Sequence, residues 1–280
     1  MKTRFLLAPL VCYVLLCCTY ACSKSNAPIE DTKEPVKEEP VPTPPKTTPD
    51  HILKDYELAW SDEFNGTTLD LAKWNYRQDG VVRKLGTVSK DAISLDGKGN
   101  LLITVNRGAD GVYYIGQVST DGLFMSKYGY YECRAQMQKS LGPHTAFWLQ
   151  SPTYGRTAYS PDLDGVEIDI FEYHRAAPNR VYFNTHWGGY AEYHQQNGSN
   201  YVFPGVSQGY HTFGLEWKED EYIFYVNGVK RWSTNKSISQ VEQYIILSAE
   251  LTGWGGEPSL GKFPDAIYYD YVRVYKPKAK

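Results

Sequence analysis

Gly165-Val166-Glu167-Ile168-Asp169-Ile170-Phe171-Glu172-Tyr173-His174 is the stretch on which the reading of this chain turns. Apolar Val, Ile, Phe and Tyr interleave with acids at period two, the pattern of a β-strand. Residues two apart on a strand face the same way, so Glu167 and Asp169 share a face. Strict alternation sends Glu172 to the opposite side. One extra residue near positions 170–171, a β-bulge, returns Glu172 to the side of the other two acids and aligns His174 with them.

Three carboxyls on one face of an apolar strand repel one another, and at least one must keep its proton near neutral pH. An ionised carboxylate beside a protonated one is the pair a retaining glycosidase uses, as nucleophile and acid. A solvated strand face that happens to carry acids is the plain alternative. The strongly apolar flanks and the mid-strand position of the acids speak against it.

Strand patterns of the same kind run outward in both directions. They predict strands over 101–106, 128–137, 145–150, 166–173, 181–187, 212–217, 222–226, 244–250 and 267–275, with helical periodicity scarce throughout. Asn227-Gly228, between 222–226 and 229–232, predicts a tight hairpin, because a type I′ turn needs positive φ at both positions. Many regular strands without helices make an all-β sandwich or barrel in one domain. Within 128–137, Tyr131, Cys133, Ala135 and Met137 fall on one face, which makes Cys133 a small core residue.

Composition narrows the function classes. The chain has 280 residues, 15% aromatic, with Lys+Arg 29 against Asp+Glu 32. Without a basic excess to neutralise phosphates, nucleic acid is not an expected partner. Lys2 and Arg4 precede the apolar run 5–16, a charged n-region and short h-region of a secretory signal. Four of the five cysteines, Cys12, Cys17, Cys18 and Cys22, crowd there, so the mature domain has no disulfide framework. Thr19-Tyr20-Ala21-Cys22 resembles a bacterial lipoprotein cleavage site, with Cys22 as the lipidated residue. Residues 23–54 read as a Pro/Glu/Lys-rich linker, an extended tether to a membrane. The expected organisation is therefore 1–22 signal peptide, 23–54 linker and 55–276 folded domain, in the cell envelope, facing the periplasm or the surface.

Glu167-Ile-Asp169-Ile-Phe-Glu172 closely resembles the bulged active-site signature of glycoside hydrolase family 16. The resemblance extends to Trp60-Ser-Asp-Glu-Phe-Asn-Gly66, Tyr128-Gly-Tyr-Tyr-Glu-Cys-Arg134, Ala146-Phe-Trp-Leu149, Tyr210-His-Thr-Phe-Gly-Leu-Glu-Trp217 and Asp270-Tyr-Val-Arg-Val-Tyr275. It implies a concanavalin-like β-jelly-roll sandwich of two curved antiparallel sheets, with a glycan cleft across one. It also implies Glu167 as nucleophile, Glu172 as acid/base, and Asp169 between them, hydrogen-bonded so as to orient Glu167. The implied activity is endo-hydrolysis of a polysaccharide, foremost a β-1,3- or mixed-linkage glucan, as in laminarinases. The stretch 151–164 and Ser248-Ala-Glu-Leu-Thr-Gly-Trp254 depart from the laminarinase pattern, which brings in endo-β-galactosidase action on agar-type or host glycans. A non-catalytic glycan-binding lipoprotein on the same fold is the reading from another class; it need not keep three acids.

Sugar rings stack on aromatic faces, and their hydroxyls take paired polar groups. Trp148, in phase with His144 and Gln150, is a candidate platform. Asn184 and His186 share a face on the following strand, with Trp187 next to them. His174, Glu250 and Trp254 complete the expected substrate-binding set. His51 and His211 read as surface or packing residues. No cluster has the ligand spacing of a catalytic metal. Some family members hold a structural calcium away from the cleft, and Glu63 and Asp270 stand at comparable places, though two acids fall well short of the oxygens calcium takes. A monomer without cofactor is expected.

Overall fold

The computed structural model describes residues 48–279. The signal, lipidation and most of the linker positions lie outside the described residues. No described helix is long and apolar enough to cross a membrane.

Two sheets form the domain. The front sheet carries the acids and runs Gln195–Val202, Arg180–Trp187, Glu167–His174, Gly142–Gln150, Gln243–Gly255, Gln117–Ser119, Asn75–Tyr76 from edge to edge. The back sheet centres on Gly129–Gln136, flanked by His211–Trp217 and by Asp265–Pro277. Pairing is antiparallel apart from the short ladder of Gly86–Val88 with Tyr113–Ile115. Alternation explains the sandwich. Phe147, Leu149, Ile168, Val181, Phe183, Ile245 and Leu247 of the front sheet point inward and are fully buried against Tyr131, Cys133, Ala135 and Val272 of the back. Their strand neighbours face outward and floor a cleft.

The strands predicted from 101 to 275 are all present within a few residues, and Asn227, at φ 50, with Gly228, at φ 70, makes the expected hairpin turn. The strands Tyr56–Asp62 and Gln195–Val202 were not expected. The second, Gln-Gln-Asn-Gly-Ser-Asn-Tyr-Val, has almost no apolar alternation to read, because it is an edge strand whose inner face, at Asn197, Ser199 and Tyr201, is only partly buried.

The folded domain begins before residue 55. Helix Asp50–Asp55 lies on the outside of the back sheet, with Ile52 fully buried among Tyr130, Ile223, Tyr225 and Tyr275. Thr48 Oγ1 donates to buried Glu132, at 2.8 Å, and His51 Nε2 sits 3.2 Å from buried Glu216. The expected linker end at 54 is thus corrected: 48–54 is part of the globule. Proline content hid this, since the anchoring contacts belong to only three side chains.

Candidate active site

The bulge sits where the signature placed it. Opposite Glu167–His174, Trp148 pairs with Asp169 and Phe147 with Phe171, skipping Ile170; on the other side Asn184 pairs with Asp169 and Tyr182 with Glu172. Ile170 and Phe171, adjacent in sequence, both point into the core at 0% exposure. The phase therefore changes, and Glu172 comes out on the cleft face beside Glu167 and Asp169. Cross-strand register then surrounds the acids: His186 lies opposite Glu167, Asn184 opposite Asp169, Ala146 opposite Glu172, and His144 opposite His174. Ala146 and its other neighbour Ser248 are small and leave room above Glu172.

Each acid has a distinct environment. Glu167 Oε2 accepts from the Tyr190 hydroxyl and from Gln150 Nε2, the latter at 2.9 Å. Burial and the nearby Asp169 charge push the Glu167 carboxyl up to about 8, against the pull of Tyr190 and His186. Asp169 is pushed well above the usual carboxylate range by burial and by Glu172. The expected hydrogen bond from Asp169 to Glu167 is not formed; Asp169 Oδ2 has no hydrogen-bond partner and faces His186 Nε2 at 3.4 Å.

Glu172 differs from its neighbours. Burial would raise it, but His144, Asn184 and His186 outweigh that and hold it below its usual range. Its Oε1 lies 2.9 Å from His144 Nε2, with the ring N–H turned off that line, and its Oε2 accepts from Asn184 Nδ2. Burial works against a charge on His144, yet Glu172, supported by Glu250 and Asp169, raises it above its usual value. His174 goes the other way, down to about 4, through burial and the charge of His144.

The acids and His144, Ala146, Trp148, Ser248 and Glu250 line a cavity of about 310 Å³. A larger one of about 630 Å³ shares Arg83, Trp148 and Tyr190 with it and continues past Gln150 and Tyr244 to Arg77 and Asn75. Together they make a groove across several strands rather than a closed pocket, suited to a chain.

The remaining expected residues divide. Trp148 lines both cavities, its Nε1 donating to Ser248 Oγ at 3.1 Å and the Arg77 guanidinium lying 5.2 Å from its ring centre. Trp254, 41% exposed, stands at the end of its long strand and packs edgewise on His144 and against His174 and Tyr182. His174 is buried beneath it, with neither ring nitrogen partnered. Asn184 serves Glu172, and His186 bridges Asp169 and His194. Glu250 lines the cavity, but its carboxylate is already held by the Arg83 fork at 3.1–3.2 Å and by Gln117, so it is not the free hydroxyl acceptor expected. Trp187 is corrected outright: one position after His186, it falls on the inner face and packs against the core.

Sequence reading missed Tyr190 and gave His144 no role. Tyr190 belongs to the loop after Arg180–Trp187, which touches the loop at 151–164. The two cross at glycines: a Cβ on Gly155, at φ +63, would lie 2.5 Å from Gly189 Cα. Asp164 holds the first loop by accepting from the backbone N–H groups of Thr157, Ala158 and Tyr159. The Gly188-Gly189 pair ahead of Tyr190 was the available signal. His144 could have been found from its phase with Trp148.

Glu167, Asp169 and His186 bring one ligand-type atom each within 4.8 Å, a spacing that would also accept a metal ion. Glu63 and Asp270 do not form a shared calcium site: Arg273 holds Glu63 at 2.8–2.9 Å, and Arg134 holds Asp270.

Residues 57–277 match the family described as "Beta-porphyranase A-D, GH16 domain". A glucan endo-1,3-β-glucosidase A1 of Niallia circulans is 28% identical, aligned over 82% of this chain and 39% of its own length. A keratan-sulfate endo-1,4-β-galactosidase of Sphingobacterium multivorum is 28% identical over 92% of this chain and 64% of its own. Among solved structures, the catalytic domain of an endo-1,3-β-glucanase (laminarinase) from Thermotoga petrophila superposes with a TM-score of 0.70 at 27% identity, over 80% of this chain and 99% of that one. The chain thus spans well under the full length of these two curated relatives but nearly all of the solved catalytic domain.

Proposed function

The chain belongs to the GH16 family of the β-porphyranase A–D domain, and from that footing we propose that it is a retaining, endo-acting glycoside hydrolase that cuts internal β-linkages of a polysaccharide. The bulge at Ile170–Phe171 carries the proposal, because it sets Glu172 on the cleft face with Glu167 and Asp169. Glu167 is the nucleophile. Both of its hydrogen bonds fall on Oε2, so Oε1 attacks the anomeric carbon. As the C–O bond breaks, the leaving oxygen takes a proton by way of Glu172, and a glycosyl–Glu167 ester forms. Water then attacks the same carbon, gives its proton to Glu172, and displaces the Glu167 carboxylate. Two inversions give net retention. Trp148 and Trp254 supply apolar surface for sugar rings.

Two sugars compete. A galactose-containing β-glycan is favoured here over a β-glucan, because the family description covering the whole domain is that of porphyranases. The test is a panel of purified β-1,3- and mixed-linkage glucans, agar-type galactans including porphyran, and galactosyl host glycans, with product oligosaccharides identified. Proton NMR of early hydrolysis should show the β-anomer first; an initial α-anomer would refute double displacement. Binding without any cleavage across the panel would make the chain a glycan-binding protein instead.

We also propose that Cys22 carries a lipid that anchors the domain to the cell envelope through the following linker, and that the chain works as a monomer. The leader pattern and the small Ala21 before Cys22 support this. Membrane fractionation should find the wild type with membranes and Cys22→Ala in the soluble fraction; a soluble wild type would remove the anchor.

A further inference from the structure

We propose that His144 and Glu172 work as one unit, in which His144 holds the proton that Glu172 passes to the leaving oxygen. The inference rests on the glycosidase reading above and makes His144 a positioning residue, acting on the substrate only through Glu172. A simple general acid would sit in the empty cleft with its own proton. Glu172 instead has a nitrogen at each oxygen: Asn184 Nδ2 donates to Oε2, and His144 Nε2 lies 2.9 Å from Oε1 in an ion-pair contact whose N–H must swing by a small ring rotation to align. Both partner side chains of the His144–Glu172 contact are largely buried, 14% and 11% exposed.

The setting of His144 singles out Glu172 as its partner. From the acid strand, Glu172 and Asp169 face it; across the other ladder stands Glu250. Glu250 is spent on Arg83, and Asp169 is a carboxyl whose charge burial and Glu172 disfavour. His174, the cross-strand neighbour on the acid strand, stays neutral, and His186 lies on the Asp169 side. Trp254 closes over His144 with its ring centre 4.8 Å away, holding the imidazole against the carboxylate.

A pair written as carboxylate with imidazolium, or as carboxylic acid with neutral imidazole, contains the same single proton. In the first step that proton leaves His144 Nε2 for Glu172, and the Glu172 carboxyl proton goes to the glycosidic oxygen as its bond to carbon breaks. The unit is left as carboxylate and neutral imidazole. In the second step Glu172 takes a proton from the attacking water, and it returns to His144. Nothing is consumed.

The sign of the pH effect follows from the proton count. A unit with two basic sites gives up its last proton at a pH no lower than Glu172 alone would with an uncharged neighbour. Replacing His144 by an uncharged residue can therefore only move the alkaline limb of the pH profile downward.

The experiment compares wild type, His144→Gln and His144→Asn on two leaving groups. One is the panel polysaccharide that the wild type cuts, with porphyran and laminarin tried first. The other is a 2,4-dinitrophenyl glycoside of the matching disaccharide, whose departure needs no acid. In both variants kcat/KM on the polysaccharide should fall ~100-fold and on the dinitrophenyl glycoside less than ~3-fold, as expected for lost proton donation. The alkaline limb on the polysaccharide should move down by ~1 pH unit. The ratio of the two activities does not depend on how much variant is folded. Equal losses on both substrates, or an unmoved alkaline limb, would overturn the role of His144. A wild type that cuts neither substrate would instead remove the glycosidase reading.

Discussion

Tyr190→Phe removes one hydroxyl from the cleft and leaves its ring against Tyr154, 4.9 Å away between centres. That hydroxyl and the Gln150 amide are the two donors to Glu167 Oε2. A hydrogen bond to a charged group contributes ~1.5–3 kcal/mol, and each pKa unit corresponds to about 1.36 kcal/mol, so the loss raises the Glu167 carboxyl by roughly 1–2 units. The direction is fixed: Tyr190 favours the ionised form, and burial and Asp169 oppose it. The nucleophile must be ionised, so activity rises with pH through the Glu167 titration. The acid limb of kcat/KM, which reports the free enzyme, should therefore sit above the ordinary carboxylate range in the wild type and move up by roughly 1–2 pH units in Tyr190→Phe. Below the limb the variant should lose roughly 10- to 100-fold; above it the two enzymes should converge. Initial rates on the dinitrophenyl glycoside across the pH range measure this without involving proton donation. A uniform loss at every pH, or a limb that moves down, would refute the place given to Tyr190 beside the nucleophile.

Glu167→Gln should abolish turnover while thermal melting stays close to wild type, and full activity would remove the nucleophile assignment. Glu172→Ala should be nearly inactive on polysaccharide but regain turnover of the dinitrophenyl glycoside when azide is added, since azide replaces the activated water; no rescue would count against its role as acid/base. Ile52→Ala, on the far sheet, should cost ~2–5 kcal/mol, which lowers the melting temperature by several degrees, with unchanged activity per folded molecule. Melting curves that match the wild type would mean that the segment 48–55 does not belong to the cooperative unit.

How much of this could be read from sequence depended on whether a residue's neighbours lay along the chain or across it. Ile168 and Tyr173 lie inward and Glu167 and Asp169 outward because period two is a local property, and so the core face of the acid strand was legible. The bulge was legible only because three acids needed a common face. Trp187 was misread although the same alternation, counted from His186, sends it inward. Glu250 could not be read correctly: its partner Arg83 is 167 residues away, in a two-residue strand with no apolar pattern. Tyr190 reaches Gln150 and Glu167 because its loop crosses the loop at 151–164 at Gly155 and Gly189, a contact set by tertiary approach. The helix over 50–55 was hidden for a similar reason, since Thr48, His51 and Ile52 find their partners on strands of the far sheet.

The three acids can share one strand because their surroundings give them different proton counts. Asp169 lies between the other two and has no hydrogen-bond donor on Oδ2, so it is the carboxyl for which charge is most costly, and it keeps its proton. With Asp169 neutral, the repulsion that it exerts on Glu167 is relieved, and Tyr190 and Gln150 then favour the ionised form of the nucleophile. Glu172 has His144 at one oxygen, and the pair together is neutral with a single proton. Above the Glu167 titration the face thus carries one net negative charge, on Glu167, where a positive charge develops on the sugar in the transition state. Register produces this division. His144 reaches Glu172 because the bulge shortens the pairing by one residue between Trp148 and Phe147, bringing Ala146 opposite Glu172 and His144 opposite His174. Were the same residues to pair without a bulge, strict alternation would send Glu172 into the core, and Ala146 and His144 would lie opposite Phe171 and Tyr173 rather than Glu172 and His174. The same insertion that makes the acid available also supplies the imidazole that charges it.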